Sequence, residues 1–443
     1  MNKAFQTKFK NIFGSEADDF FQSLIREKER FFRLNHAREI DYINEELVEY
    51  GIISDELPHI FKYNKDNLDI TNTISFLTGG IYIQNPSSII PPLIMSKLLP
   101  YESIILDVSA APGGKTTALS ELTKRKSLII ANEPSASRLK SLHFNLEKYG
   151  AWNVKTISYD GRILNKKLPA IFDGILLDAP CSNENKIGYN KEVDSEWSQE
   201  LVLKMQKLQM EILNSVIELL KPGGVLIYST CTFSIEENED IINYLIKKNN
   251  NLELVDINQG YFDKGISLDD KLNEKVIRVL PHKSRYDGFF IAGIRKKGEL
   301  SLTKTGQIYP APSYLKDFFP QKQFHGYFKM IDNLIIYEKE TPDSLKKINY
   351  KKTCLTTGKL YNNKLDLASQ FVWEFGKDIN LNRVIDIDYK NALAFLNGFD
   401  IELKVDKGRD CLFFKNLPIG FTKNMGNFLK NKLDRYFLYG KGY

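Results

Sequence analysis

Between residues 101 and 297 the chain alternates apolar, β-prone runs with amphipathic stretches, and this alternation limits the possible folds more than any other feature. Runs 104–108, 128–133, 154–159, 172–177 and 226–228 read as strands buried on both faces. Helices are expected after the 110–116 turn to about Lys124, over 135–149 with Gly150 as the stop, and over 201–220. Residues 289–294 are expected to add an edge strand. Repeated βα units imply an α/β fold with a mostly parallel sheet and helices on both faces. In such sheets ligands bind outside the carboxyl ends of the strands. The chemistry is therefore sought where the strands stop.

The first strand ends at Asp107 and runs into Ser109-Ala110-Ala111-Pro112-Gly113-Gly114-Lys115-Thr116. A glycine pair at a strand-to-helix turn lets the backbone approach a ligand closely, and a helix start welcomes negative charge. Three ligands compete. A Walker A loop needs a glycine where Ser109 stands, although Ile175-Leu176-Leu177-Asp178 mimics a Walker B strand. The G-x-G-x-x-G dinucleotide pattern is absent. An S-adenosylmethionine site needs an acid at the end of the second strand for the ribose hydroxyls, and Glu133 stands there. Asp160, ending the third strand, is placed to reach the adenine amine. Acids at three strand ends along one edge favour the methyl donor. Lys115 is expected to touch the donor carboxylate or to pair with Asp107 or Asp178.

The fourth strand ends in Asp178-Ala179-Pro180-Cys181 and the fifth in Tyr228-Ser229-Thr230-Cys231-Thr232. Amine methyltransferases carry an aromatic where Cys181 stands, so the thiol points to a different acceptor. Carbon 5 of a pyrimidine is a poor nucleophile until a thiolate adds to carbon 6. Cys231 is the candidate nucleophile, Cys181 the candidate group for product release, and Asp178 the partner of the cytosine amine or ring nitrogen 3. A thiolate needs a pKa near neutral. Ser234 is expected to cap a helix whose first turn holds Glu236 and Glu237, and those acids would oppose the thiolate. Single cysteines are usually core residues; two at adjacent strand ends beside an acid argue for chemistry. His143 and His282 read as structural, and Cys354 and Cys411 as core residues of the C-terminal region.

The 443 residues require two or three domains, with boundaries expected near 95 and 298. Residues 1–95 read as a helical or small α/β unit assisting RNA binding, 96–297 as the catalytic domain. Of the net charge of +5, residues 301–443 hold +8, from 23 Lys and Arg against 15 Asp and Glu, leaving −3 for the rest. A basic, aromatic-punctuated end such as 418–432 suits phosphate contact and base stacking, hence an RNA partner. Four cysteines spaced 50, 123 and 57 apart suit neither a disulfide framework nor a zinc site. With no apolar leader and no membrane-spanning run, a cytoplasmic protein without metal or membrane partner is expected.

The stretches 110–116, 131–133, 135–140, 177–182, 228–232 and 237–239, with Tyr82-Ile83-Gln84 and Pro86-Ser87-Ser88, resemble the Nol/Nop/Sun family of RNA 5-methylcytosine methyltransferases, and its bacterial 16S ribosomal RNA branch in particular. The likeness covers about 75–295; residues 417–420 and 429–431 resemble that branch's PUA-like end. It implies a Rossmann-like S-adenosylmethionine-dependent core, and a cytosine near the decoding site of small-subunit RNA, free or in the 30S subunit, as target rather than DNA; transfer RNA is the alternative. An NTPase or a non-catalytic assembly factor are the rival readings. Position by position it implies donor binding by 109–115, Glu133, Asp160 and Asp178, with Cys231 as nucleophile and Cys181 releasing product. The family continues Pro-Cys-Ser-Gly-Glu-Gly where this chain has Asn183-Glu184-Asn185 after Ser182, which implies a reshaped loop over the target base.

Overall fold

The computed structural model describes the chain except residues 39, 64–68, 259, 261, 269, 304–305, 353–354, 363 and 440–443. Cys354 therefore lies outside the described residues. The central sheet has eight strands: β1 (Ile104–Asp107), β2 (Leu128–Asn132), β3 (Val154–Ile157), β4 (Phe172–Asp178), β5 (Leu220–Thr230), β6 (Leu252–Val255), β7 (Ile277–Val279) and β8 (Phe289–Lys296). Their order is β6-β8-β5-β4-β1-β2-β3, with β7 paired to β8. Strands β1 to β5 pair in parallel, and β8 runs antiparallel to β5, β6 and β7. The order reverses between β1 and β4, which is where a doubly wound sheet opens a crevice.

Side-chain alternation along each strand feeds two cores. Leu106, Ile130, Leu177, Leu226 and Tyr228 pack on one face. Ile105, Ile129, Leu176, Val225 and Ile227 pack on the other. This is why these strands read as unbroken apolar runs. Helices α1 (Gly114–Leu122), α2 (Ala136–Lys148), α3 (Gln199–Ile217) and α4 (Glu239–Lys248) connect them. Ser135 caps α2 through the Arg138 amide, and Gly150 follows it at φ 65.

One expectation needs correction, and the strand expected at 226–228 begins earlier, at Leu220. The run 289–294 is not at an edge: β8 lies between β5 and β6, and the outer position goes to Leu252–Val255. Leu252 and Leu254 alternate with exposed Glu253 there, the pattern of a half-buried strand. Pro222-Gly223-Gly224 is a bulge inside β5, where the pairing jumps from Phe172↔Leu220 to Gly174↔Val225 and Gly223 takes φ 78.

The N-terminal region is a small α/β unit whose two parts face different ways. Four antiparallel strands, in the order Ile53–Ser54, Ile60–Tyr63, Arg30–Leu34 and Ile81–Ile83, form one sheet. Helices Lys3–Phe13 and Ala17–Ile25 pack instead on the segment that follows β5. Phe5, Phe9 and Phe20 are fully buried. Phe20 meets Phe233 edge-on at 4.9 Å, Phe5 meets Trp197 at 5.1 Å, and Lys8 pairs with Glu236 at 2.9 Å. The helices thus brace the segment just after Cys231.

Beyond β8, a two-stranded sheet of Tyr309–Pro310 and Gln323–Phe324 is followed by two four-stranded sheets, the first over Tyr327–Ile331, Leu334–Glu338, Leu355–Tyr361 and Lys364–Leu367. The second comprises Val384–Asp386, Cys411–Phe414, Leu417–Asn424 and Leu429–Asn431. Buried ions tie all three regions. Glu374 of the C-terminal region receives Arg38 at 3.1 Å and Arg125 at 2.6 Å, and Lys155 meets Glu338 at 2.7 Å. Removing one partner of such a network strands a buried charge. Among the described residues no helix is long and apolar enough to cross a membrane.

The N-terminal brace can be tested directly. Phe20→Ala should cost about 3–5 kcal/mol of unfolding free energy, measured in a denaturant titration, while Ile25→Ala, at an exposed position, should stay within about 0.5 kcal/mol of the parent.

Candidate active site

Strand register brings the two thiols together. Along the parallel β4–β5 pair Asp178 lies opposite Ser229, so Cys181 and Cys231 leave the sheet at one level. Their sulfurs are 3.2 Å apart. The Ala179 amide donates to the Ser229 carbonyl and the Asn185 amide to the Cys231 carbonyl, which ties the two loops. Cys181 is buried and Cys231 half-buried. The hydrogen bond shared with Cys231, and after it burial, raises the Cys181 thiol well above its ordinary pKa. Cys181 is therefore the sulfur that keeps its proton.

Asp178 sits beside the pair. Its Oδ2 accepts from Lys115 Nζ at 2.7 Å and its Oδ1 from the Ser229 hydroxyl at 2.9 Å. Of the partners open to Lys115, the structure selects Asp178, and its ammonium also lies 5.2 Å from the Phe289 ring. Asp107 is fully buried instead: Oδ2 accepts from Thr116, Oδ1 has no partner among the described residues, and burial pushes the carboxyl up to about 7.

A cavity of about 680 Å³ contains Glu133, Asp160, Asp178 and both cysteines, with Ser109 and Ala111 on its wall. Gly113 turns the chain there at φ 111, a value open to glycine. Arg138 donates to the Ala111 carbonyl at 2.6 Å and Asn145 to the Pro112 carbonyl at 2.8 Å, holding the loop. Glu133 is wholly buried; Oε1 accepts from the Ser135 amide, whereas Oε2 has no hydrogen bond and only Arg138 at 3.5 Å. An unsatisfied buried carboxylate oxygen at the end of β2 fits a ligand that brings hydroxyl donors. Asp160 lines the same cavity, but its carboxylate is held by Arg162 at 2.5–3.0 Å, and that hydrogen bonding lowers its pKa. Reaching an adenine amine would mean sharing Asp160 with Arg162.

The segment after Cys231 departs from expectation. Ser234 does not cap a helix; its amide and hydroxyl both donate to Glu184. Ile235–Glu237 forms a single 3₁₀ turn, and α4 opens only at Glu239. Of the acids there, Glu237 does oppose a thiolate, adding to the rise at Cys181, while the other two are paired. Glu236 is paired with Lys8, and Glu239 with Arg278 at 2.5 Å.

Glu237 is shifted toward its protonated form. Glu184 accepts from the Thr232 and Ser234 hydroxyls, the Phe233 and Ser234 amides and the Trp197 indole. Thr232 thus spends its one hydroxyl proton on Glu184. The Ser182 and Thr232 hydroxyls also meet at 2.9 Å. Ser182 donates its hydroxyl to Glu237 Oε1. Glu237 Oε2 stays an acceptor for the Ser182 amide and Gln209. Burial, then the nearby Glu184 charge, push the Glu237 carboxyl up to about 7.

Sequence reasoning missed Gln209, and it named Asn183, Glu184 and Glu237 without the contacts they make here. At Asn183, a polar residue inside an otherwise small-residue loop was the available signal. Asn183 takes φ 54, a left-handed conformation natural to glycine and tolerated by asparagine. The backbone thus keeps a glycine-like turn, while the added amide donates to the Cys181 carbonyl and faces the Cys231 sulfur at 3.5 Å. His143 bonds Thr156 at 2.8 Å, His282 packs against Phe13 and Phe20, and Cys411 is wholly buried; none lines this cavity.

The chain is similar to known methyltransferases. The family described as 16S rRNA methyltransferase RsmB/F matches residues 96–295, and that described as methyltransferase RsmF PUA domain matches 382–439. The ribosomal RNA small subunit methyltransferase F of Psychromonas ingrahamii is 32% identical over 395 residues, covering 82% of this chain and 80% of its own. The protein of that name from Escherichia coli O6:H1 is 28% identical over 470 residues, covering 98% and 95%. A solved methyltransferase homologue from Pyrococcus horikoshii is 31% identical with TM-score 0.58, covering 67% of this chain and 95% of that one. The Pyrococcus horikoshii NSun6 structure with SFG shares the fold at TM-score 0.59 and 24% identity, covering 67% and 99%.

The Glu237 proton has a measurable consequence. Its folded-state pKa lies above the unfolded value, so the stability it contributes is full below pH 4.5 and is lost as pH rises to about 7. Glu237→Gln keeps the side-chain shape without a titrating proton. Its melting temperature relative to the parent should climb between pH 4.5 and about 7 and then level off; a difference that stays flat across thermal melts in that window would contradict a protonated Glu237.

Proposed function

The chain belongs to the ribosomal RNA small subunit methyltransferase F family, and from that premise we propose that it methylates carbon 5 of a cytosine in 16S ribosomal RNA through a covalent adduct with Cys231. The coarse activity, methyl transfer to ribosomal RNA from S-adenosylmethionine, follows from membership. The finer chemistry rests on one observation: two sulfurs 3.2 Å apart, beside an Asp178–Lys115 pair, in the cavity that also holds Glu133.

When bound, S-adenosylmethionine supplies an electrophilic methyl group. Glu133 would accept from its ribose hydroxyls, and the 109–115 backbone, with Asp160 at the far wall, would enclose the rest. Asp178 would accept from the cytosine exocyclic amine, with Lys115 and Ser229 fixing the carboxylate. A carboxylate there favours cytosine over uracil, whose carbonyl offers no proton. Cys181 would direct its S–H at the Cys231 sulfur and so stabilise a thiolate there. The Cys231 thiolate would form a bond to carbon 6, the ring electrons would move to carbon 5, and carbon 5 would take the methyl group as its bond to the donor sulfur breaks and S-adenosylhomocysteine leaves. Cys181, its own proton given up to solvent, would as thiolate take the carbon 5 proton; the carbon 6–sulfur bond then breaks and the ring double bond returns with Cys231 released as thiolate.

The division of labour we infer has 1–95 bracing the site and assisting RNA binding, 96–297 performing the chemistry, and the basic 298–443 gripping RNA. With small subunits from cells lacking the enzyme, Cys181→Ser should trap a denaturation-resistant protein–RNA adduct, and Cys231→Ala should give neither adduct nor 5-methylcytosine by bisulfite sequencing. Normal methylation by Cys231→Ala would refute the assignment.

A further inference from the structure

A second cavity, of about 540 Å³, meets the first at Ser109, Ala111 and Asp178 but contains neither cysteine. Its size falls in the range of about 300–1,000 Å³ typical of ligand sites. Three regions of the chain wall it: Phe76, Tyr82 and Gln84 from the N-terminal unit, Phe144 and Lys148 from α2, and Phe437 from the C-terminal end. Glu133 and Asp160, the acids suited to the methyl donor, are not on its wall.

Gln84 marks what the cavity takes. Its Oε1 and Nε2 are both buried, and neither has a hydrogen-bond partner among the described residues. Buried amides are normally satisfied at both ends, so this one awaits a group that brings an acceptor and a donor side by side. The opening depends on Gly114: a Cβ there would lie 3.3 Å from Gln84 Oε1 and 3.4 Å from the Tyr82 hydroxyl. A planar edge carrying a donor next to an acceptor is the mark of a nucleobase. Aromatic walls suit the face of an unstacked base, and sequence-specific RNA recognition works on bases of that kind. Lys115, paired with Asp178, and Lys148, its ammonium 3.6 Å from the centre of the Phe76 ring, complete the wall.

We propose that this cavity holds the base of an RNA nucleotide next to the methylated cytosine, with Gln84 reading its edge. The inference rests on the reading of Asp178 and Cys231 as the seat of the target base, because the shared wall at Asp178 is what makes the occupants neighbours.

The test uses small subunits reconstituted from 16S transcripts bearing each of the four bases at the positions flanking the methylated cytosine. The parent enzyme should discriminate among them by roughly tenfold in kcat/KM at one flank. Gln84→Ala should lose that preference and leave the KM for S-adenosylmethionine unchanged. Gln84→Glu, with acceptors only, should move the preference toward bases that present a donor. An unaltered preference in Gln84→Ala, or a raised donor KM with RNA preference intact, would overturn the proposal. A parent enzyme indifferent to the base at both flanks would do the same. Failure of the parent to methylate any transcript would instead overturn the parent reading, and this inference with it.

Discussion

The parallel pairing of β4 with β5 is the interaction on which the site depends. Hydrogen bonds between two buried strands set Asp178 against Ser229, and everything near the sulfurs inherits that register. A slip of one residue would turn each side chain to the opposite face of the sheet. Because both strands are covered on both faces, such a slip would expose core residues on either side, so the register is firmly held. The Ser229 hydroxyl on Asp178 ties the chemistry to the same pairing.

A second constraint is electrostatic. The segment after Cys231 carries three acids in a largely apolar setting, and an uncompensated buried charge there would be very costly. Each is accommodated differently: Glu236 by a lysine from the N-terminal helices, Glu239 by buried Arg278, and Glu237 by a carboxyl pKa that burial raises. Five donors converge on Glu184. The hydroxyls that donate to Glu237 and Glu184 include those of Ser182 and Thr232, the immediate neighbours of Cys181 and Cys231. Charge balance and the positioning of the thiols are therefore one arrangement.

Much of this was legible beforehand where a signal was local. The βα alternation, the loop after Asp107, and both cysteines at strand ends follow from residue type and spacing. The errors arose where a distant element decided. The acids at 236–239 look like a helix start until Lys8 and Arg278, 228 and 39 residues away in the chain, are brought beside them. The run 289–294 looks like an edge until the weaker 252–255 strand takes the outside position. Asn183 looks like a lost glycine, yet it keeps the turn that glycine would have made.

By itself the sequence determined the chemistry on offer: which strands are buried, where they end, and which acids and thiols stand at those ends. Periodicity and local turn preferences carry that information because they depend on near neighbours along the chain. Tertiary structure alone decided which groups meet: a 3.2 Å contact between sulfurs 50 residues apart, a lysine that chooses Asp178 over Asp107, and a glutamine amide left open beneath Gly114. Those outcomes depend on packing among elements remote in sequence, and no local pattern encodes an ångström-scale distance across a fold.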